Sequence, residues 1–312
     1  MSGSRPRVAV TPPPFCKSPV LRAELSRLFP DSVFNDKGRY LSEPEMIEFL
    51  AGADAVVVGR DPVTDRVLGA LPELKLVAKY GVGLDNVDRD ALERRRVTLG
   101  WTAGVNKLSV AEMTLCFLIG LIHNIFLCGL ALKQDRWLKD GGRQLTGKTV
   151  GVVGCGNVGK EVIRLLQPFQ CRVLARDIID VSGFCREAGA SVAEFDDLVS
   201  QSDIVSLHVP LTELTRNMID ARVLGRMRES AFLINTSRGE TVDPGALKTA
   251  LRENRIAGAA LDVFALEPPD DQELLACPNL FATPHIGGNA MEAVEAMGRS
   301  AIGHLAKFFG KA

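Results

Sequence analysis

Thr149-Val150-Gly151-Val152-Val153-Gly154-Cys155-Gly156-Asn157-Val158-Gly159 decides how this chain folds. Its first five residues, rich in β-branched side chains, read as a buried strand. Three glycines follow at 154, 156 and 159, and Lys160 to Leu166 continues with helical spacing. A second apolar run, Cys171 to Ala175, ends at Arg176-Asp177. The order is strand, glycine-rich turn, helix, strand, acid.

That order has a physical logic. Gly154 permits a tight turn, Gly156 leaves the backbone bare to a pyrophosphate, and Gly159 lets the helix lie close to the strand. The unpaired N–H groups and positive dipole end of the helix that follows face the phosphate oxygens, and Asn157 and Val158 in the turn are candidates on the cofactor side. Asp177, eighteen residues after Gly159, is placed to accept hydrogen bonds from both ribose hydroxyls and to repel a 2′-phosphate. The stretch therefore predicts dinucleotide binding, with NAD(H) favoured over NADP(H). Arg176 beside the acid tempers that preference.

Working outward, 312 residues exceed the roughly 100–200 of a single domain, so two domains are expected. With 37 basic and 38 acidic residues the net charge is −1. No basic surplus points to nucleic acid or an anionic membrane. The seven cysteines form no CxxC pair, so no thiolate metal site is expected, and reduced thiols in a cytoplasmic protein fit best. Met1 to Arg7 leads into a strand and a proline cluster, which does not read as a signal peptide.

Before the glycine-rich turn, short strands are expected at Arg7–Thr11, Ala55–Val58, Leu76–Lys79 and Val97–Leu99. Helices are expected at Val20–Phe29, Ser42–Leu50, Val63–Ala70 and Asp88–Arg95, with Ser42 and Glu45 forming a capping box. After it come strands at Ile204–Leu207, Ala231–Asn235, Ala257–Val263 and Leu280–Ala282, and a closing helix at Ala290–Phe309. Alternating strands and helices predict an α/β fold with parallel sheets covered on both faces. Val110 to Leu132 is apolar enough to invite reading as a membrane span of about 20 residues. Glu112 and His123-Asn124 oppose that, and a buried helix between domains or in a dimer interface is the expectation.

Ligands in open α/β sheets bind beyond the carboxyl ends of the strands. Arg238, Glu267 and His285 all fall there. Such a set suits reduction of a 2-keto acid. A guanidinium grips a carboxylate with two prongs, an imidazole passes a proton to the carbonyl oxygen, and a carboxylate orients the imidazole and stabilises its charged form.

Several blocks then resemble the D-isomer-specific 2-hydroxyacid dehydrogenases over nearly the whole length. They are Lys79 to Asp88 (KYGVGLDNVD), Asn106 to Glu112 (NKLSVAE), His208 to Thr212 (HVPLT), Leu233 to Gly239 (LINTSRG), Ala259 to Pro268 (AALDVFALEP) and Thr283 to Gly288 (TPHIGG). The resemblance implies two Rossmann-like doubly wound domains with the active site in the cleft between them. Residues 1–103 plus 289–312 would bind substrate, and residues 104–288 would bind NAD and supply a homodimer helix. It implies Arg238, Glu267 and His285 as the catalytic residues. Lys79, Tyr80, Val82, Gly83 and Arg60 would lie on the substrate side, with Val82 and Gly83 offering backbone N–H groups to its carboxylate. Ser109 would approach that side. His208, Pro210, Thr236, Asp262 and Gly287 would line the cofactor site, with Asp262 meeting the nicotinamide carboxamide.

The departures are informative. Glu267 is an acid where formate dehydrogenases carry an amide, and Val82 stands where phosphite dehydrogenase has lysine. Lys79 replaces an arginine frequent in phosphoglycerate dehydrogenases. Trp101 stands where smaller residues are usual, narrowing the cleft or packing under a hinge. Arg60, Lys79 and Lys107 are candidates for a second anionic group, such as phosphate or phosphonate, on the substrate. A nicotinamide-sensing corepressor on the same fold is the alternative reading; no nucleic-acid or membrane partner is expected. No regulatory extension is expected beyond Ala312.

Overall fold

Strand positions in this chain are set by runs of β-branched and small apolar residues, and the central runs are buried on both faces while the edge strands are not. A computed structural model describes residues 5–311. Met1–Ser4, part of the segment read as lacking a signal peptide, and Ala312 lie outside the described residues. The chain divides into two compact units, Met1–Asn106 with Gly288–Ala312, and Lys107–Gly287.

The first unit holds five parallel strands: β1 (Val8–Val10), β2 (Val33–Phe34), β3 (Ala55–Val58), β4 (Leu76–Lys79) and β5 (Thr98–Gly100). Their order is β2-β1-β3-β4-β5, so the chain reverses direction across the sheet between β1 and β3. Side chains alternate in the expected period of two. Val8, Val10, Ala55 and Val57 enter one core with Leu21, Leu25, Ala301 and Leu305. Ala9, Val56, Val58 and Val77 enter the other with Met46, Leu68 and Leu92. The closing helix Met291–Phe308 thus completes the first unit, and a Cβ on its Gly298 would lie 2.4 Å from Leu21. The capping box forms as read: Ser42 N–H donates to Glu45 Oε2 at 3.0 Å, opening the helix Glu43–Phe49.

The second unit holds seven parallel strands: β6 (Thr149–Val153), β7 (Arg172–Arg176), β8 (Ser191–Val192), β9 (Ile204–Leu207), β10 (Phe232–Asn235), β11 (Gly258–Leu261) and β12 (Leu280–Ala282). The order β12-β11-β10-β9-β6-β7-β8 reverses between β6 and β9. The two sheets are the doubly wound, Rossmann-like α/β architecture expected from the sequence.

The apolar stretch from Val110 corrects the single-helix expectation. It forms two helices, Lys107–Ile122 and Ile125–Lys133, bent by 71° at His123-Asn124. Asn124 takes a left-handed φ of +54°, and Phe126 folds back over Gly120, where a Cβ would meet its ring at 2.2 Å. Phe126 stacks on Phe281 at 3.6 Å. The first helix buries Phe117, Leu118 and Ile122 against Val162 and Ile163. The second leaves Ile125, Leu127, Leu130 and Leu132 exposed. Among the described residues no single helix is long and apolar enough to cross a membrane.

Candidate functional site

The glycine-rich turn shows what each glycine does. Gly154 has φ +96°, and a Cβ there would sit 2.6 Å from the His208 carbonyl oxygen. A Cβ on Gly159 would reach within 1.9 Å of the Gly154 carbonyl oxygen. Gly156 is different: nothing lies within 4 Å of where its Cβ would be. Two glycines are demanded by the turn itself, and the third leaves open space beside the first N–H groups of the helix Asn157–Leu166. The Asp177 carboxylate, at the end of β7, closes the other side. Its Oδ2 accepts from Cys155 N–H at 2.7 Å and its Oδ1 from Ile179 N–H at 3.3 Å. Arg176 lies 3.7 Å from Glu194, so its charge is partly answered. Burial pushes the Cys155 thiol up to about 12, which makes it packing rather than a nucleophile.

Across the reversal point, His208 follows β9. Its Nε2 pairs with Ser206 Oγ at 2.9 Å, while its Nδ1 is buried without a partner among the described residues. Desolvation lowers this histidine to about 3, so the ring is neutral. A bare cradle at Gly156, helix N–H groups and an orphaned imidazole nitrogen fit an adenine dinucleotide placed along this edge.

Farther along the same edge, the loops after β10, β11 and β12 carry Arg238, Glu267 and His285. Neighbouring strands stand about 4.8 Å apart, so these three loops leave the sheet side by side. Glu267 and His285 meet: Nδ1 lies 3.0 Å from Oε1 and 2.9 Å from Oε2. Oε1 also accepts from Phe264 N–H at 3.0 Å, which fixes the carboxylate. His285 itself has φ +54°, a left-handed conformation disfavoured for a side chain with a Cβ.

Its loop is held from beneath. The Asp262 carboxylate, 2% exposed, accepts from Thr283 Oγ1 at 2.7 Å, Ile286 N–H at 2.8 Å and Gly287 N–H at 2.8 Å. Ser109 Oγ donates to the Gly287 carbonyl at 2.5 Å. Asn235, which the sequence reading passed over, does the same for the arginine loop. Its Oδ1 accepts from Ser237 N–H and Oγ, and its Nδ2 donates to the Arg238 carbonyl at 2.8 Å. An amide ending an otherwise apolar strand was the available signal. Thr236 is buried there, its hydroxyl 3.0 Å from that of Thr114. Pro210 stands exposed in the loop after β9.

The remaining candidates, Lys107 apart, belong to the first unit. Lys79 is 4% exposed, and its ammonium donates to the Gly59 carbonyl and to Asn86 Oδ1. Tyr80 is buried edge-on to Phe15, and its hydroxyl has no partner among the described residues. Val82 and Gly83 are half-buried. Arg60 is exposed at the end of β3, its guanidinium 5.6 Å from the Tyr40 ring centre. Lys107 lies in the second unit and pairs with Glu161 at 2.8 Å.

A family model described as D-isomer specific 2-hydroxyacid dehydrogenase, NAD binding domain, matches residues 115–287. The chain is 32% identical over 277 residues to the hydroxypyruvate reductase of Thermotoga maritima, covering 87% of this chain and 90% of that one. It is 36% identical over 281 residues to the glyoxylate reductase of Korarchaeum cryptofilum, covering 86% and 83%. The crystal structure of D-lactate dehydrogenase from Aquifex aeolicus, complexed with NAD and lactic acid, matches with a TM-score of 0.83 at 25% identity, covering 98% and 96%.

Proposed function

The chain belongs to the D-isomer specific 2-hydroxyacid dehydrogenase family, and from that premise we propose that it transfers a hydride between NAD(H) and C2 of a small D-2-hydroxy acid or 2-keto acid. The observation that carries this reading is the Glu267–His285 pair. An ionised carboxylate only accepts, so the Nδ1 it faces bears the proton. Nε2 is then the working nitrogen. Protonated, it donates to the keto oxygen during reduction; neutral, it takes the hydroxyl proton during oxidation. Glu267 fixes the tautomer and orientation of the ring between these states.

The nicotinamide, when bound, supplies or accepts the hydride. The protein's part is orientation and charge. Arg238 grips the substrate carboxylate and polarises the adjoining carbonyl; the family resemblance assigns substrate contacts to the backbone N–H groups of Val82 and Gly83 as well. Gly156, Asn157 and Val158 receive the pyrophosphate. Asp177 receives the ribose hydroxyls and disfavours NADP(H), a preference helped by the contact between Arg176 and Glu194. Asp262 would meet the nicotinamide carboxamide, and its carboxylate holds the loop that carries His285.

For a second anionic group on the substrate we assign Arg60, which is exposed at the end of β3, whereas Lys79 is 4% exposed. The exposed apolar row Ile125, Leu127, Leu130 and Leu132 supports a homodimer formed through this helix. The test of the whole reading is a panel of hydroxypyruvate, glyoxylate, pyruvate, 3-phosphohydroxypyruvate and phosphonopyruvate with NADH and NADPH. Turnover with NADH, lost in His285→Ala, is expected. Absence of turnover with any 2-keto acid leaves the sensing alternative.

A further inference from the structure

The loop Tyr80–Asp85 joins β4 to the segment before the helix Arg89–Arg94. Its two ends are tied together. Lys79 Nζ donates to Asn86 Oδ1 at 2.8 Å, and the Asn86 amide donates to the Gly59 carbonyl at 3.1 Å. The tip is tied separately. Trp101 follows β5, the strand paired with β4 through Ala78 and Gly100. Its indole Nε1–H donates to the Val82 carbonyl oxygen at 3.1 Å, within the range of a good N–H···O bond.

This bond fixes a direction. The Val82–Gly83 peptide is trans, as Glu267–Pro268 is the one cis bond among the described residues. In a trans peptide the C=O and the following N–H point to opposite sides. Holding the Val82 carbonyl on the Trp101 side therefore aims the Gly83 N–H away from it. The indole also has a fixed polarity, being a donor with no acceptor. A flipped peptide would set N–H against N–H, so the tryptophan opposes the reversal that a glycine-flanked loop otherwise makes readily. Gly81, with φ +101°, shows that this loop already uses glycine freedom next to the held peptide.

We propose that Trp101 is a positioning residue for substrate: it holds the Val82–Gly83 peptide so that the Gly83 N–H is presented to the carboxylate of the 2-keto acid. The proposal rests on the dehydrogenase reading for the identity of that carboxylate. It also explains the bulky residue at this position by its N–H rather than its size.

The decisive variant is Trp101→Phe, which keeps an aromatic ring and removes the donor. Losing one neutral hydrogen bond corresponds to a roughly 3–10-fold effect. We expect KM for the preferred 2-keto acid to rise by about that factor, with kcat changed less than about twofold and the NADH Kd unchanged. Hydrogen exchange over residues 80–86 should be faster in the free variant, while Trp101→Ala should show the same KM change with a larger loss of thermal stability. An unaltered KM and unaltered exchange in Trp101→Phe would overturn the proposal. A lower kcat with unaltered KM would also overturn it, by placing Trp101 in the chemical step or the general fold. If the wild-type protein reduces no 2-keto acid, the dehydrogenase reading falls and the substrate role with it. The exchange measurement, which needs no substrate, still decides whether Trp101 holds the loop.

Discussion

Both units have parallel sheets wound in two directions, and each has a point where the winding reverses. What stands at the two points is opposite in character. Between β6 and β9 the second unit places a bare Gly156 and a buried imidazole nitrogen with no partner. Between β1 and β3 the first unit places the prolines 12–14 and Asp61, whose carboxylate is fully buried and already used. It accepts from Thr11 Oγ1 at 2.5 Å and from Leu41 N–H at 2.8 Å. A reversal point is therefore an opportunity that side chains either leave open or fill. The dinucleotide belongs to the open one.

The strongest way to break this comparison is to remove the chemistry from the open edge. His285→Ala should lower kcat/KM by about 10²–10⁴-fold while NADH still binds, measured by fluorescence titration. Glu267→Gln should lower it less. The amide still faces Nδ1 but carries no charge to hold the ring. An unchanged kcat/KM would remove Glu267 as the partner.

The glycine-rich turn sharpens the contrast within a single loop. Gly156→Val should leave the melting temperature nearly unchanged, since the side chain enters open space, yet weaken NADH by roughly tenfold or more. Gly159→Ala should do the reverse first, lowering the melting temperature because its Cβ collides with backbone 1.9 Å away. Equal effects on stability would mean that the two glycines share one role. At the filled point, Asp61→Ala should cost about 1–3 kcal/mol of stability through the stranded Leu41 N–H, with no change in NADH affinity. A change in NADH affinity would erase the distinction between the two points.

Much of this was legible from residues alone because the signals are local. Thr149–Val153 and Ala55–Val58 announce strands by composition, and Ser42 with Glu45 announces a helix start. The Glu267–His285 contact was legible only through the order of strand ends. His123-Asn124 read only as a polar interruption, and the bend there, with Phe126 stacked on Phe281 more than a hundred residues away in sequence, was not legible. The two-residue edge strands β2 and β8 are too short to show a period. The roles of Asn235 and Asp262 were hidden for another reason. A polar residue at a strand end advertises a ligand as readily as it advertises the loop it is holding, and the two are told apart by counting donors around it.

Two histidines at the same sheet edge supply the finest test. His285 has a carboxylate against Nδ1, whereas the ring of His208 is desolvated and its Nδ1 lacks any partner among the described residues. The native His208 therefore resists protonation until about pH 3, while in the unfolded chain an imidazole titrates near its ordinary value of about 6.5. A native pKa below the unfolded one means that the unfolded state gains the proton first. Stability is intact above about pH 6.5 and is lost as pH falls from there toward about 3. Replacing the ring with an amide, His208→Asn, removes that term. Between pH 7 and pH 5 the melting temperature of the cofactor-free variant should fall less than that of the wild type, by on the order of 2–4 °C. Parallel acid limbs would show that His208 takes up its proton in the folded protein, and that the edge between β6 and β9 is wetter than its burial implies.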